Sequence, residues 1–310
     1  MTKKDTIRLS ALFDFILLIM VTVIFYLNTK ISSEKNLLIP KGSIGGIITH
    51  LANNGYDVNR FDKFFLRFIG KPQSGFIDIG REDLSKIDFL VALTNSKAAL
   101  VDVTLVPGET MYYFNQQLSE SLKVSFQDLN QSFIKYSPYQ DGVIFADTYK
   151  LPIGATADFL MQYLIEQSMQ RHKQLAIKVL GVYDQKQWFK YVSIASIIQK
   201  EAANIQEMPL VSAVIYNRIK KGMPLQMDGS LNYAQYSHTR VSAQRIRSDN
   251  SEFNTYKNKG VPNTPVGSIS IEAIKAAINP ARVDYLYFVK NKNGTHTFSK
   301  TYEEHKKNIK

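Results

Sequence analysis

The sequence of 310 residues contains no cysteine at all. That excludes disulfides, thiol nucleophiles and cysteine-held metals, and leaves the compartment open, because an exported chain without disulfides resembles a cytosolic one in this respect. The five histidines are scattered and form no His-x-x-x-His pair, so the usual helical zinc spacing is missing. No glycine-rich phosphate cradle, zinc-finger spacing or RNP-type aromatic motif occurs either. The expectation is a protein without metal, cofactor or nucleic-acid partner. Charge leans one way, to a net +11, with the lysines spread along the chain. A dispersed basic surface suits a soluble protein, an anionic lipid surface or an acidic polymer.

Against these absences stands one long apolar run. Leu9 to Leu27, 19 residues inclusive (27 − 9 + 1), is interrupted only by Ser10, Asp14 and Thr22. A spanning helix needs ~20 such residues. The run exceeds the ~7–15 residues of a secretory signal core, and no small-x-small cleavage site follows Leu27. Lys3, Lys4 and Arg8 precede it. The expectation is an uncleaved single-pass anchor in the inner (cytoplasmic) membrane, with residues 1–8 as a cytoplasmic tail and the C-terminal domain on the extracytoplasmic, periplasmic side. Asp14 sits near the cytosolic end, where its carboxylate could reach the interface.

Beyond the anchor the chain reads as small alternating pieces. Leu37 to Ile39 predicts a strand, and Ser43 caps a helix over Ile44 to Asn53 that Asn54-Gly55 stops. Asp62 to Ile69 and Leu84 to Leu93 read as helices, Phe76 to Ile79 as a strand. Val101 to Val106 alternates as a strand, then passes through Pro107-Gly108-Glu109-Thr110 into a helix over Tyr112 to Leu122. This echoes Ile39-Pro40-Lys41-Gly42-Ser43 and hints at a repeated small α/β unit. After Asp158 helices dominate: Trp188 to Ala203, Pro209 to Lys221 and Ile271 to Ile278. Tyr285 to Val289 and Thr295 to Phe298 close as a hairpin across Asn291-Lys292-Asn293-Gly294.

Glu201 is out of place on solvation grounds. Ile198, Ile197 and Ile194 lie three, four and seven positions before it, on one helix face. Desolvation there favours the neutral acid and raises its pKa. A carboxyl group that is protonated near neutral pH can donate to the leaving oxygen of a glycosidic bond. The competing reading is structural, since apolar stripes often end in a polar residue where a helix leaves the core. Downstream come Asn217-Arg218, Met223 to Asp228, Tyr233, Asn254-Thr255-Tyr256 and Gly260-Val261-Pro262. Such amides, hydroxyls and rings are the groups that sugar sites use.

In this arrangement the chain resembles the endolytic murein transglycosylase family, the YceG-like (MltG) proteins. The residues carrying the resemblance are Ala195 to Glu201, Tyr216-Asn217-Arg218-Ile219, Met223 to Asp228, Phe253 to Tyr256, Tyr285 to Val289, His296 to Ser299 and His305. Gln199 stands where many members carry a second glutamate, Ser230 replaces a common threonine, Asn263 interrupts a Pro-Pro, and Ile269-Ser270 replace Pro-Gly. The resemblance implies an α+β chain: a transmembrane helix at 9–27, a LysM-like α/β unit at 28–106, a second small α/β unit with linking helices at 107–187, and a mostly helical catalytic domain with a short sheet at 188–310. It implies a lytic transglycosylase, a lyase that cleaves the MurNAc–GlcNAc β-1,4 bond of peptidoglycan and leaves 1,6-anhydro ends. Glu201 would be the acid and then the base, with Gln226, Asp228, Tyr233, Asn254 and Tyr256 positioning substrate. Glycan strands would be the substrate, and cell-wall synthases plausible neighbours. A lysozyme-like muramidase, with Asp228 as second carboxylate, and a non-catalytic wall-binding scaffold remain as alternatives.

Overall fold

The computed structural model describes residues 3–96 and 100–309. Of the expected tail, Met1 and Thr2 lie outside the described residues, as do the side chains of residues 3–9. The fold mixes helix and sheet and is mostly helical. It divides into two compact units, one of Met1–Val101 with Pro152–Ala155, the other of Asp102–Leu151 with Thr156–Lys310.

The first unit opens with helix α1 (Lys3–Leu27), whose stretch Ser10–Leu27 is long and apolar enough to cross a membrane. Strands β1 (Lys30–Ser32) and β2 (Asn36–Ile39) lead into α2 (Ile44–Asn53) and α3 (Arg60–Ile69). Then come β3 (Gly75–Asp78), β4 (Asp83–Ser85) and α4 (Lys86–Asn95). The strands form two antiparallel pairs, β1 with β4 and β2 with β3. Ser43 caps α2 by accepting from the Gly46 N–H, as its position predicts. The helix read over Leu84 to Leu93 needs correction, because Leu84 pairs with Ile31 in a strand and Ser85 caps a helix that starts at Lys86. Pairing with a strand more than fifty residues away overrides the local helical pattern there. Inside, Leu51, Leu66, Phe89, Leu90 and Leu93 are fully buried.

The second unit includes the greater part of β5 (Leu100–Thr104) and β6 (Thr148–Pro152), which pair, with α5 (Met111–Leu122) and α6 (Phe126–Tyr136) between them. The long α7 (Ala157–Leu180) and α8 (Gln185–Glu201) follow, then α9 (Met208–Lys220) and the single turn α10 (Asp228–Leu231). After α11 (Ala243–Ser248) and α12 (Ile271–Ile278) the hairpin of β7 (Tyr287–Lys290) and β8 (His296–Ser299) ends in α13 (Tyr302–Asn308).

Helix α8 is its axis, packed against α9, α10 and α12. Serines let neighbours come close: Ser193 Oγ donates to the Pro262 carbonyl at 2.7 Å, and Ser196 Oγ accepts from the Val266 N–H at 3.0 Å. The sole tryptophan, Trp188, donates its indole N–H to Nδ1 of His172 at 2.9 Å. His172 is fully buried, and desolvation lowers its pKa from 6.5 to about 4.

A base whose folded pKa is depressed stabilises the fold only while it is neutral. Stability should fall as pH drops below the unfolded value of 6.5 toward 4. From pH 7.5 to pH 5 this amounts to about 2 kcal/mol. Urea unfolding of a His172→Gln variant, which cannot take up that proton, should therefore gain about 2 kcal/mol on wild type over the same interval. Parallel pH profiles for the two proteins would contradict it.

Candidate active site

From Trp188 to Ile198 nearly every residue of α8 is buried, on all sides of the helix, as expected of a helix at the centre of a core. Glu201 is its last residue. Ile194, Ile197 and Ile198, which share its face, are 6%, 0% and 0% exposed. The helix stops because Ala202 is extended, its N–H still donating to the Ile198 carbonyl. The glutamate is therefore delivered to the edge of the core by a rigid rod, half-buried, with one side open.

Desolvation dominates the titration of Glu201 and raises its pKa from 4.5 to about 7. The charge of Asp228 acts in the same direction. The Gly229 N–H and the Arg218 guanidinium oppose them. That N–H donates to Glu201 Oε1 at 2.6 Å. A Cβ at Gly229 would lie 2.8 Å from Lys200 Cβ and 2.9 Å from Glu201 Oε1. Only glycine admits α10 so close to the end of α8.

The carboxyl opens into a cavity of about 180 Å³ lined by Arg218, Leu225, Gln226, Met227, Asp228, Tyr256 and Phe288. Arg218 is buried, with Nε donating to the Leu286 carbonyl and Nη1 to that of Leu225, each at 2.7 Å. One guanidinium thus ties α9 to the hairpin and to the loop before α10. Gln226 has φ of +51°, a left-handed conformation rare outside glycine. Its neighbours hold it there: Gln226 N–H donates to the Thr255 carbonyl at 3.1 Å, and Met227 N–H to Thr255 Oγ1 at 3.1 Å. The Tyr256 hydroxyl donates to Asp228 Oδ1 at 2.7 Å. Burial first, and then the Asp228 carboxylate, raises the Tyr256 pKa, so the phenol stays a donor.

Four residues read from the sequence therefore meet in this cavity: Glu201, Gln226, Asp228 and Tyr256. Two are elsewhere. Tyr233 stacks on Phe253 and bonds Asp249, facing a separate hollow with Tyr236 and Arg245. Asn254 is fully buried, and its amide donates to the carbonyls of Ile246 and Asp249. Its Oδ1 accepts from the Tyr256 N–H at 3.2 Å, which seats that tyrosine. Arg218, Gly229 and Phe288 are additions. Arg218 stood in a quoted motif, and its position among the apolar residues of α9 was a usable signal. Nothing in residue type marks the close approach at Gly229.

Gln199 does not reach the cavity. Its Oε1 accepts from the N–H and the hydroxyl of Ser270, at 3.2 and 2.6 Å. Gln199 is thus tied to the residue that caps α12. A larger hollow of about 620 Å³ lies beside Met111, Tyr112, Phe133, Tyr139 and Asp141. Burial also raises the Asp141 pKa to about 7, yet its oxygens accept the backbone N–H groups of Met111 and Gly142. Despite its smaller volume, the Glu201 cavity is the better reaction site. It joins a proton-holding carboxyl with an open face to a cation, a second carboxylate and a phenol.

Comparison with known proteins places these features in context. The model of a family described as YceG-like matches residues 37–310. An endolytic murein transglycosylase of Bacillus subtilis (strain 168) is 28% identical, over 88% of this chain and 83% of its own length. A protein of the same name from Streptococcus pneumoniae R6 is 30% identical over 54% of this chain, which matches 31% of that relative. The crystal structure of a YceG-like protein from Listeria monocytogenes shares the fold with a TM-score of 0.58, at 23% identity, covering 90% of this chain and 99% of that one.

An acid whose folded pKa is raised stabilises the fold below its unfolded value, and loses that contribution as pH rises through the folded one. For Glu201 the window runs from 4.5 to about 7. A Glu201→Gln variant should gain about 2.5 kcal/mol on wild type between pH 5 and pH 8 in urea unfolding followed by circular dichroism. A constant difference would mean the carboxyl ionises as easily in the folded chain as in the unfolded one.

Proposed function

Since the chain belongs to the YceG-like family, we propose that it is a membrane-anchored lytic transglycosylase acting on peptidoglycan glycan strands, with Glu201 as acid and then base. The observation that carries this reading is the Glu201 carboxyl, held protonated near neutrality with an open face on a cavity it shares with Arg218, Asp228 and Tyr256. Protonated Glu201 donates to the glycosidic oxygen of the MurNAc–GlcNAc bond as the C1–O bond breaks and that oxygen leaves as a hydroxyl. The carboxylate so formed takes the proton of the MurNAc 6-hydroxyl, which attacks C1 and closes the 1,6-anhydro ring. The attacking group belongs to the substrate, so no water-activating second carboxylate is needed. The Gly229 N–H stabilises the transient carboxylate through the bond it already makes to Oε1.

Gln226, Asp228 and Tyr256 would orient the sugar at the rim. Asn254 would act through the backbone of Tyr256, and Tyr233 would meet the strand further along. Helix α1 would cross the cytoplasmic membrane once, leaving residues 1–8 inside and residues 28–310 outside. Residues 28–106 we read as a LysM-like α/β unit, and wall synthases at the same membrane as the working neighbours.

Asp228 supports a second reading, because its carboxylate lines the same cavity and its charge raises the Glu201 pKa. A pair of carboxylates is what a hydrolase uses. Mass analysis of peptidoglycan digested by the full chain decides between them. Anhydro ends from wild type, absent with Glu201→Gln, are expected, with the rate falling above about pH 7 as the acid loses its proton. Reducing ends would favour the hydrolase, and binding without cleavage by either protein a scaffold.

Gly229→Ala tests the positioning. The added methyl must push against Lys200 or the Glu201 carboxyl. Displacement of a catalytic group by about 1 Å costs on the order of 10²-fold in rate. That loss is expected with the circular dichroism spectrum unchanged; full activity would show that the close approach is dispensable.

A further inference from the structure

The first unit carries an apolar stripe that its own core does not use. Helix α3 turns Asp62 and Leu66 inward, both 0% exposed. Phe61, Phe64 and Phe68, spaced three and four apart, share the other side. They are 60%, 56% and 75% exposed. Single exposed apolar residues need no explanation, but three phenylalanines in one row of a ten-residue helix do. The Phe64 and Phe68 rings meet edge to face at 5.0 Å, so these two form one continuous patch. Arg60, Lys63 and Arg67 lie on the same helix, and its one carboxylate, Asp62, is the residue turned inward.

The position of the stripe identifies what covers it. The last turn of α1 rests on α3: the Tyr26 ring stacks on Phe65 at 6.2 Å, and its hydroxyl donates to Asp62 Oδ1 at 3.0 Å. Asn59 Nδ2 donates to the same hydroxyl at 2.9 Å. The Lys86 ammonium lies 4.4 Å over the Tyr26 ring, closing a polar knot about the end of the apolar helix. Phe25, just before that knot, is 76% exposed. Helix α3 is therefore held within one side chain's length of the point where α1 ends.

We propose that α3 lies in the interfacial layer of the bilayer that α1 crosses, with Phe61, Phe64 and Phe68 at the acyl boundary and Arg60, Lys63 and Arg67 among anionic headgroups. The inference rests on the reading of α1 as a membrane span. Aromatic rings and cations flanking an apolar face are the composition that settles at that depth. A single helix passing through a bilayer leaves its cargo free to swivel. A second contact, fixed to the first by the Tyr26–Asp62–Asn59 bonds, sets one orientation of the first unit on the lipid.

The absence of cysteine allows a direct test with single-cysteine variants of the full chain. Phe15→Cys, Phe64→Cys, Phe68→Cys and an exposed reference, Lys292→Cys, would carry an environment-sensitive nitrobenzoxadiazole label in vesicles of phosphatidylethanolamine and phosphatidylglycerol. The expected result is several-fold brighter emission at Phe64 and Phe68 than at Lys292, quenched best by lipids doxylated near the headgroup. The Phe15 label should be quenched best by lipids doxylated deep in the chain. Deep quenching at Phe15 with water-like emission at Phe64 and Phe68 would overturn the interfacial placement and leave the span standing. A Phe15 label that no lipid quenches would remove the span and this inference with it. Bright labels at Phe64 and Phe68 that no lipid quenches would show a protein surface on the stripe and overturn the proposal.

Discussion

A carboxyl group at the edge of an apolar core must find hydrogen-bond donors or keep its proton, and in this fold a single close approach sets the balance. The Gly229 N–H reaches Glu201 Oε1 at 2.6 Å, one donor set against desolvation. More donors would lower the pKa toward that of an ordinary carboxylate, and none would leave the ionised form without support. The helix end contributes too, since the C-terminus of α8 is its negative pole and disfavours a carboxylate. Much of the second unit serves this geometry. Serines on α8 draw in the loop from Pro262 to Val266, Arg218 joins α9 to the hairpin and to the Leu225 loop, and Thr255 holds Gln226 in its left-handed conformation.

The chemistry divides by burial. Glu201 and Asp141 both hold protons near neutrality because desolvation penalises their charge. Asp141 has both oxygens engaged by backbone donors, whereas Glu201 faces a cavity that also holds a cation and a phenol. A raised pKa therefore does not mark a site alone; the open face beside it makes the difference.

The local pieces of the fold were legible in the sequence wherever period and punctuation agreed. Ile44 to Asn53 and Ile271 to Ile278 form helices with the bounds read from the pattern, and the hairpin forms across the Asn291 to Gly294 turn. The Leu84 segment was misread because its partner, Ile31, is distant in sequence and no local pattern records such pairing. In the candidate site, the isoleucine stripe singled out Glu201 beside a structural reading that stayed open, and Gln226, Asp228 and Tyr256 came from the motifs that carry the family resemblance. Tyr233 and Asn254 share those motifs but turn to other partners, since a motif preserves order along the chain and not the direction of a side chain. Gly229 was invisible for the opposite reason: its contribution is an absent Cβ.

The burial of Trp188 has a spectroscopic consequence. It is the only indole in the chain, enclosed in the second unit and bonded to His172. Intrinsic emission excited at the red edge therefore reports that unit alone, while the first unit, with its tyrosines and phenylalanines, is silent in the same channel. Loss of order in one body can thus be followed without signal from the other, and protonation of the imidazole beside the ring becomes an optical event.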